Sequence, residues 1–120
     1  MHCFDTFVLI EIARGNPKFE ALLGEPFVIP DLILAEFFGV LLRDVGEDVA
    51  VLWTERLAGF SVDVSLPTLL RAQHFRREHR KTDMSFFDAV GYQFACDTGN
   101  SFVTGDTVFR GMKGVTFMPK

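Results

Sequence analysis

Two periods of apolar and polar residues take turns along this chain. From Phe60 to Leu66, the residues Phe60, Val62, Val64 and Leu66 alternate with Ser61, Asp63 and Ser65, the period of two that predicts a strand. Ile33, Leu34, Phe37, Phe38, Leu41 and Leu42 instead recur three and four residues apart, as one face of an α-helix does. Asp31 is placed to cap that helix, which runs to about Val45 with Gly46 just past its end.

The remaining segments follow the same logic. A very short strand opens the chain at 2–5 and passes into a helix over 7–13, which Arg14-Gly15-Asn16-Pro17 terminates. A short helix over 18–23 stops at Gly24, and 26–30 is an extended run between two prolines. Residues 48–58 predict a helix closed by Gly59, and Pro67 opens another that reaches about Arg80. Ser85 caps a helix over 86–97, closed by Gly99-Asn100. Strands at 101–104 and 115–118 flank the turn Gly105-Asp106. No repeat, low-complexity tract or linker interrupts this order, so residues 1–120 read as one domain.

Strands alternating with helices predict an α/β sandwich on a largely parallel sheet, whose ligand site lies beyond the carboxyl ends of the strands. Four acids fall at or near that edge. Asp5 closes the first strand, and Asp106 follows the strand 101–104. Asp88 lies in the first turn of the helix feeding that strand, and Glu36 sits one to two turns into a helix that also follows an extended run. Each acid has a second reading. Asp5 is also a helix cap, Glu36 a solvated helix position, Asp88 the acidic partner of Ser85 in a capping box, and Asp106 a turn residue. Together they are more telling, because two carboxylates ~5 Å apart repel by roughly 3 kcal/mol at an effective dielectric of about 20. A hard divalent cation relieves that repulsion.

Composition narrows the class. The net charge of −4 argues against general coating of nucleic acid, though not against a nuclease with its cations on one side. Hydrophobic residues make up 48% of the chain, with 14 Phe against 1 Tyr and 1 Trp, which predicts a large aromatic core. Cys3 and Cys96 make neither a disulfide framework nor a zinc site. The N-terminal MHCFDTFVLIEI lacks a cationic start and is interrupted by Asp5 and Glu11, and no apolar run is long enough to span a bilayer. A cytoplasmic protein without a membrane partner is expected.

The segments FDTFVLI (4–10), IPDLILAEFFGVLL (29–42), SFFDAVGYQFA (85–95) and FVTGDTVF (102–109) resemble, in order and spacing, the PIN domain, the small ribonuclease fold typical of VapC-type toxins. The last two are the most specific. The resemblance covers essentially the whole chain and implies a three-layer α/β/α sandwich with a mostly parallel central sheet. It further implies that Asp5, Glu36, Asp88 and Asp106 bind Mg²⁺ or Mn²⁺, that Thr104 supports them as a catalytic hydroxyl, and that Thr6 belongs to the family's Asp-Thr opening. Phe7 departs from the pattern, since the family has there an Asn that helps hold the first Asp.

What the resemblance implies is metal-dependent hydrolysis of RNA by the toxin of a toxin–antitoxin pair, with a cognate antitoxin and a homodimer as protein partners. RNA needs cations. Arg71, Arg76, Arg77, Arg80 and Lys81, with His74 and His79, form the densest basic segment, and Arg110 follows the Asp106 turn. Of these, Arg76, Arg77, Arg80, Lys81 and Arg110 are the RNA-binding candidates, beside the plainer reading of a solvated helix end whose dipole favours cations. Phe19, Phe37 and Phe38 are compatible with partner contacts and equally with core. The rival reading is a catalytically weak or inactive PIN-like module that binds RNA or protein, which Phe7 supports. A phosphatase of the haloacid dehalogenase type needs a second Asp two residues after the first, where Phe7 stands. A receiver domain needs a mid-chain acceptor, which Asp63, inside the alternating run, fits poorly.

Overall fold

The computed structural model describes residues 1–120 and builds them on a sheet of five parallel strands in the order β3-β2-β1-β4-β5. In chain order the elements are β1 (His2–Phe4), α1 (Thr6–Ala13), α2 (Pro17–Glu20), β2 (Phe27–Pro30), α3 (Asp31–Asp44), α4 (Glu47–Leu57), β3 (Ser61–Val62), α5 (Leu66–Glu78), α6 (Phe86–Thr98), β4 (Ser101–Thr104) and β5 (Val115–Phe117). Short 3₁₀ turns follow α2, α4 and β4.

The period of two decides which side of the sheet each strand residue faces. Phe4, Phe27, Ile29 and Val103 belong to an apolar cluster completed by α1, α2, α3 and α4. Their neighbours Cys3, Val28 and Phe102 belong to a second cluster, built with α5 and α6. Two cores on opposite faces make the three-layer sandwich expected from the sequence, with a sheet that is parallel throughout. Stacking accounts for part of the Phe excess: Phe27 lies between Phe4, at 4.6 Å, and Phe60, at 4.2 Å between ring centroids. No helix is long and apolar enough to cross a membrane.

Two expectations change. The strand read over 60–66 shrinks to Ser61–Val62, because β3 is an edge strand whose only partner, β2, ends at Pro30 where α3 begins. Val62 and Val64 still pack against the second core, so the alternation recorded burial without a hydrogen-bonded ladder. Asp31 does not cap α3. Pro30 occupies the cap position without a side-chain bond, and Asp31 is the first helical residue, its Oδ1 buried with no partner. Of the apolar residues read as either core or partner contacts, Phe19 and Phe37 are wholly buried in the first core, while Phe38 packs against it and stays partly exposed. The exposed apolar side chains lie elsewhere, among them Leu42, Val45, Val49 and Leu52 around the α3–α4 turn.

The chain leaves β1 toward β2 and β3 on one side and returns to β4 and β5 on the other. The direction of winding reverses between β1 and β4, and in open parallel sheets ligands bind beyond the carboxyl ends of the strands at such a switch point.

Candidate active site

Asp5 stands at this switch point, directly after β1. Its backbone N–H donates to the Val103 carbonyl at 3.1 Å, extending the β1–β4 ladder by one step. The side chain then caps α1, with Oδ1 accepting from the Thr6 N–H at 2.8 Å. Thr104, at the end of β4, donates its hydroxyl to Asp5 Oδ2 at 2.6 Å. Asp5 is therefore the cap of α1, and its carboxylate is only 2% exposed.

The same Thr104 hydroxyl accepts from the Asp106 N–H at 3.0 Å, and Asp106 Oδ1 accepts from the Val108 N–H at 3.0 Å, which caps the 3₁₀ turn Thr107–Phe109. One buried hydroxyl thus joins the acids that leave two adjacent strands. Glu36, on α3, is tied to the start of α1 by the Thr6 hydroxyl, which donates to Glu36 Oε1. Asp88 completes the capping box of α6: the Ser85 N–H donates to Asp88 Oδ2 at 3.0 Å, and Ser85 Oγ accepts from the Asp88 N–H at 3.1 Å.

Electrostatics links the four. Burial, aided by the charges of Asp88 and Glu36, pushes Asp5 up to about 7 against the lowering bonds from Thr104 and Thr6. Glu36 is raised by burial and by Asp88, and Asp88 by burial and by Asp106. No Lys, Arg or His side chain comes within 4.0 Å of any of these carboxylates. Glu36 Oε2, Asp88 Oδ1 and Asp106 Oδ2 accept no hydrogen bond from the protein. An all-oxygen set with spare lone pairs and no internal counter-charge suits a hard divalent cation. The carboxylates do not form a finished cage, since no three of the chain's acids, histidines or cysteines stand at ligating closeness. Charge acts over longer distances than ligand bonds, which is why the acids perturb one another without enclosing a point.

Phe7 fills its position with a ring where a hydrogen-bonding side chain was expected. It packs against Phe19 at 5.9 Å between centroids and lies against Gly105, between Thr104 and Asp106. The turn bearing Asp106 is thus backed by an apolar wall.

The basic candidates separate. Arg71 is engaged by Asp97 of α6 at 2.6 Å, which removes it from the free cations. Arg76, Arg77 and Arg80 make no carboxylate pair, and with Gln73, Thr82 and Met84 they line a hollow of about 280 Å³ at the end of α5. Lys81 is exposed in the loop beyond, while Arg110 is exposed with its guanidinium 5.2 Å from the centre of the Phe117 ring. His79 bonds the Phe75 carbonyl through Nδ1 at 2.9 Å. Residue-by-residue reading passed over Thr6 as the residue that orients Glu36; only the Asp-Thr pair signalled it.

The family profile of the PIN domain matches residues 2–115. Among solved structures, a toxin–antitoxin complex from Klebsiella pneumoniae superposes with a TM-score of 0.76 at 22% identity, covering 97% of this chain and 96% of that one. VapC20 of Mycobacterium tuberculosis, a sarcin–ricin loop cleaving toxin, gives 0.78 at 20% identity over 96% and 98%. DNA-bound VapBC from Salmonella typhimurium gives 0.75 at 16% identity over 98% and 96%. At these identities the superpositions speak to the fold. No curated protein sequence gives a significant match.

Proposed function

The chain belongs to the PIN domain family, and from that premise we propose that it is a metal-dependent endoribonuclease, the toxin of a toxin–antitoxin pair. The observation that carries the proposal is Asp5, a carboxylate buried at the β1–β4 switch point beside other acids with no cation to neutralise it. Asp5, Glu36, Asp88 and Asp106 are the residues that would hold Mg²⁺ or Mn²⁺. A divalent ion there supplies the Lewis acidity and charge neutralisation that phosphodiester hydrolysis requires.

The protein's own part is to hold those oxygens. Thr104 fixes Asp5 and the start of the Asp106 turn, Thr6 fixes Glu36, and the capping box fixes Asp88. Arg76, Arg77, Arg80, Lys81 and Arg110 supply cations for the RNA backbone. A cognate antitoxin and a second copy of the chain are the proposed protein partners, and the exposed apolar residues around the α3–α4 turn are available to them.

The test is cleavage of a structured RNA with Mg²⁺, with EDTA in excess, and by Asp88→Asn with Mg²⁺. The proposal expects cleavage in the first alone, leaving 5′-phosphate and 3′-hydroxyl ends. Equal cleavage in all three would identify a contaminating nuclease and defeat it.

A further inference from the structure

The hollow at the end of α5 reverses the charge of the molecule around it. The chain carries 16 acidic and 12 basic residues, yet Arg76, Arg77 and Arg80 gather about one space of about 280 Å³ with no acid in its lining. Glu78 and Asp83 are close in sequence, but neither forms an ion pair with them. Two of the guanidiniums are held by backbone. Arg76 Nε donates to the Met84 carbonyl at 3.3 Å, and Arg80 Nη1 donates to the Arg77 carbonyl at 3.1 Å. Those bonds occupy one donor each and leave the rest of each planar fork free. Like charges around a common hollow repel unless an anion sits among them, and guanidinium forks match the oxygens of a phosphate, two at a time.

Position ties the hollow to the acids. Met84 lines it and directly precedes Ser85, whose hydroxyl caps α6 and whose N–H holds the Asp88 carboxylate. We propose that this hollow is a phosphate subsite that grips one phosphodiester of the RNA strand away from the bond being cut. The substrate class rests on the ribonuclease reading; the subsite rests on the unpaired arginines.

Binding is measured without cleavage, with a fluorescent 2′-O-methyl oligoribonucleotide in EDTA, across a series of salt concentrations. The variant is Arg77→Gln with Arg80→Gln. Both side chains are exposed, and Arg76 is kept because it holds Met84. Thermal unfolding and circular dichroism matching the parent qualify the comparison. The subsite requires affinity at least about tenfold weaker in the variant and a salt slope shallower by about 0.7, the value for one phosphate of a single strand. Affinity within about twofold with an unchanged slope overturns it. So does a polyglutamate peptide of equal charge that binds the parent more tightly than the oligonucleotide and loses that binding in the variant, because the hollow would then serve an acidic protein. RNA cleavage by a parent whose variant binds like it defeats the subsite alone. Oligonucleotide held through the hollow by a protein that never cuts with Mg²⁺ or Mn²⁺ defeats the nuclease reading alone.

Discussion

The ring of Phe7 occupies the space that a side chain on Gly105 would need. A Cβ at that glycine would lie 2.5 Å from Phe7 Cζ, closer still to Cε1, and 2.5 Å from the Met118 carbonyl oxygen. The ring could yield, but the backbone carbonyl could not without moving the end of β5, because the Met118 N–H is bonded to Thr104 at 2.8 Å. Gly105→Ala is therefore expected to destabilise the protein by about 1–3 kcal/mol, the usual cost of overpacking. If Phe7 is part of the obstacle, Phe7→Ala with Gly105→Ala will cost less than the two changes summed, by at least about 0.5 kcal/mol. Urea unfolding of the four proteins measures this, and strict additivity would assign the clash to Met118 alone.

Thr104 is the hinge of the acid cluster, donating to Asp5 and accepting from the Asp106 N–H. Thr104→Val keeps the shape and removes both bonds. Stability should fall by about 1–3 kcal/mol, since Asp5 is left buried with one donor fewer. Metal affinity or cleavage should fall by about 10–100-fold, as when groups behind metal ligands are removed. The lost bond is one that holds the Asp5 carboxyl down, so the rise of activity with pH should move to higher pH. Thr104→Ser, which keeps the hydroxyl, should restore most of both. A valine variant with the parent's pH profile would show that the bond does not control Asp5.

Much of this site was legible because its acids are anchored by local rules. Asp5 and Asp106 follow strands, and Asp88 follows Ser85 at capping-box spacing, so each could be placed from a few neighbouring residues. The hydroxyl that joins them was approachable only through the family pattern, because Thr104 meets Asp5 from the far end of the chain. Phe7 looked like a gap in the site for a similar reason. Its value depends on Gly105 and Met118, which no local period brings near it. The pairing of Arg71 was not legible, because a basic run on α5 says nothing of Asp97 on α6. Edge position misled in the opposite sense, since the alternation through Val62 and Val64 recorded burial at a place where β2 had already ended.

The raised carboxyl of Asp5 fixes the sign of a pH effect. Its value is about 7 in the folded protein against an ordinary 3.8, so between those limits the folded state holds a proton that the unfolded state has released. The metal-free protein should therefore lose stability as pH rises from about 4 to about 7 and change little from this source beyond. Asp5→Asn removes the titration, and its melting temperature should vary less over that window. Mn²⁺ should stabilise the parent more at about pH 8 than at about pH 5, because ligation needs the ionised carboxylate. An Asp5→Asn curve parallel to the parent's would refute the assignment.

Asp88 separates its two roles by the sign of one substitution. As a cap, its Oδ2 accepts from the Ser85 N–H, a bond that the amide oxygen of Asn also accepts, so Asp88→Asn should change helix stability by less than about 1 kcal/mol. As a member of the cluster, its charge raises both Asp5 and Glu36, and removing it should lower both and relieve repulsion in the metal-free protein. Without metal, then, the variant should melt at the parent's temperature or above it near neutral pH. With Mn²⁺ added, the parent's melting temperature should rise and the variant's should not. Ser85→Ala is the opposite control: it removes the cap hydroxyl at a cost of about 0.5–2 kcal/mol while leaving the carboxylate in place, so its Mn²⁺-dependent rise should persist. If Asp88→Asn keeps that rise in full, Asp88 is a cap and nothing more, and the cation is held without it.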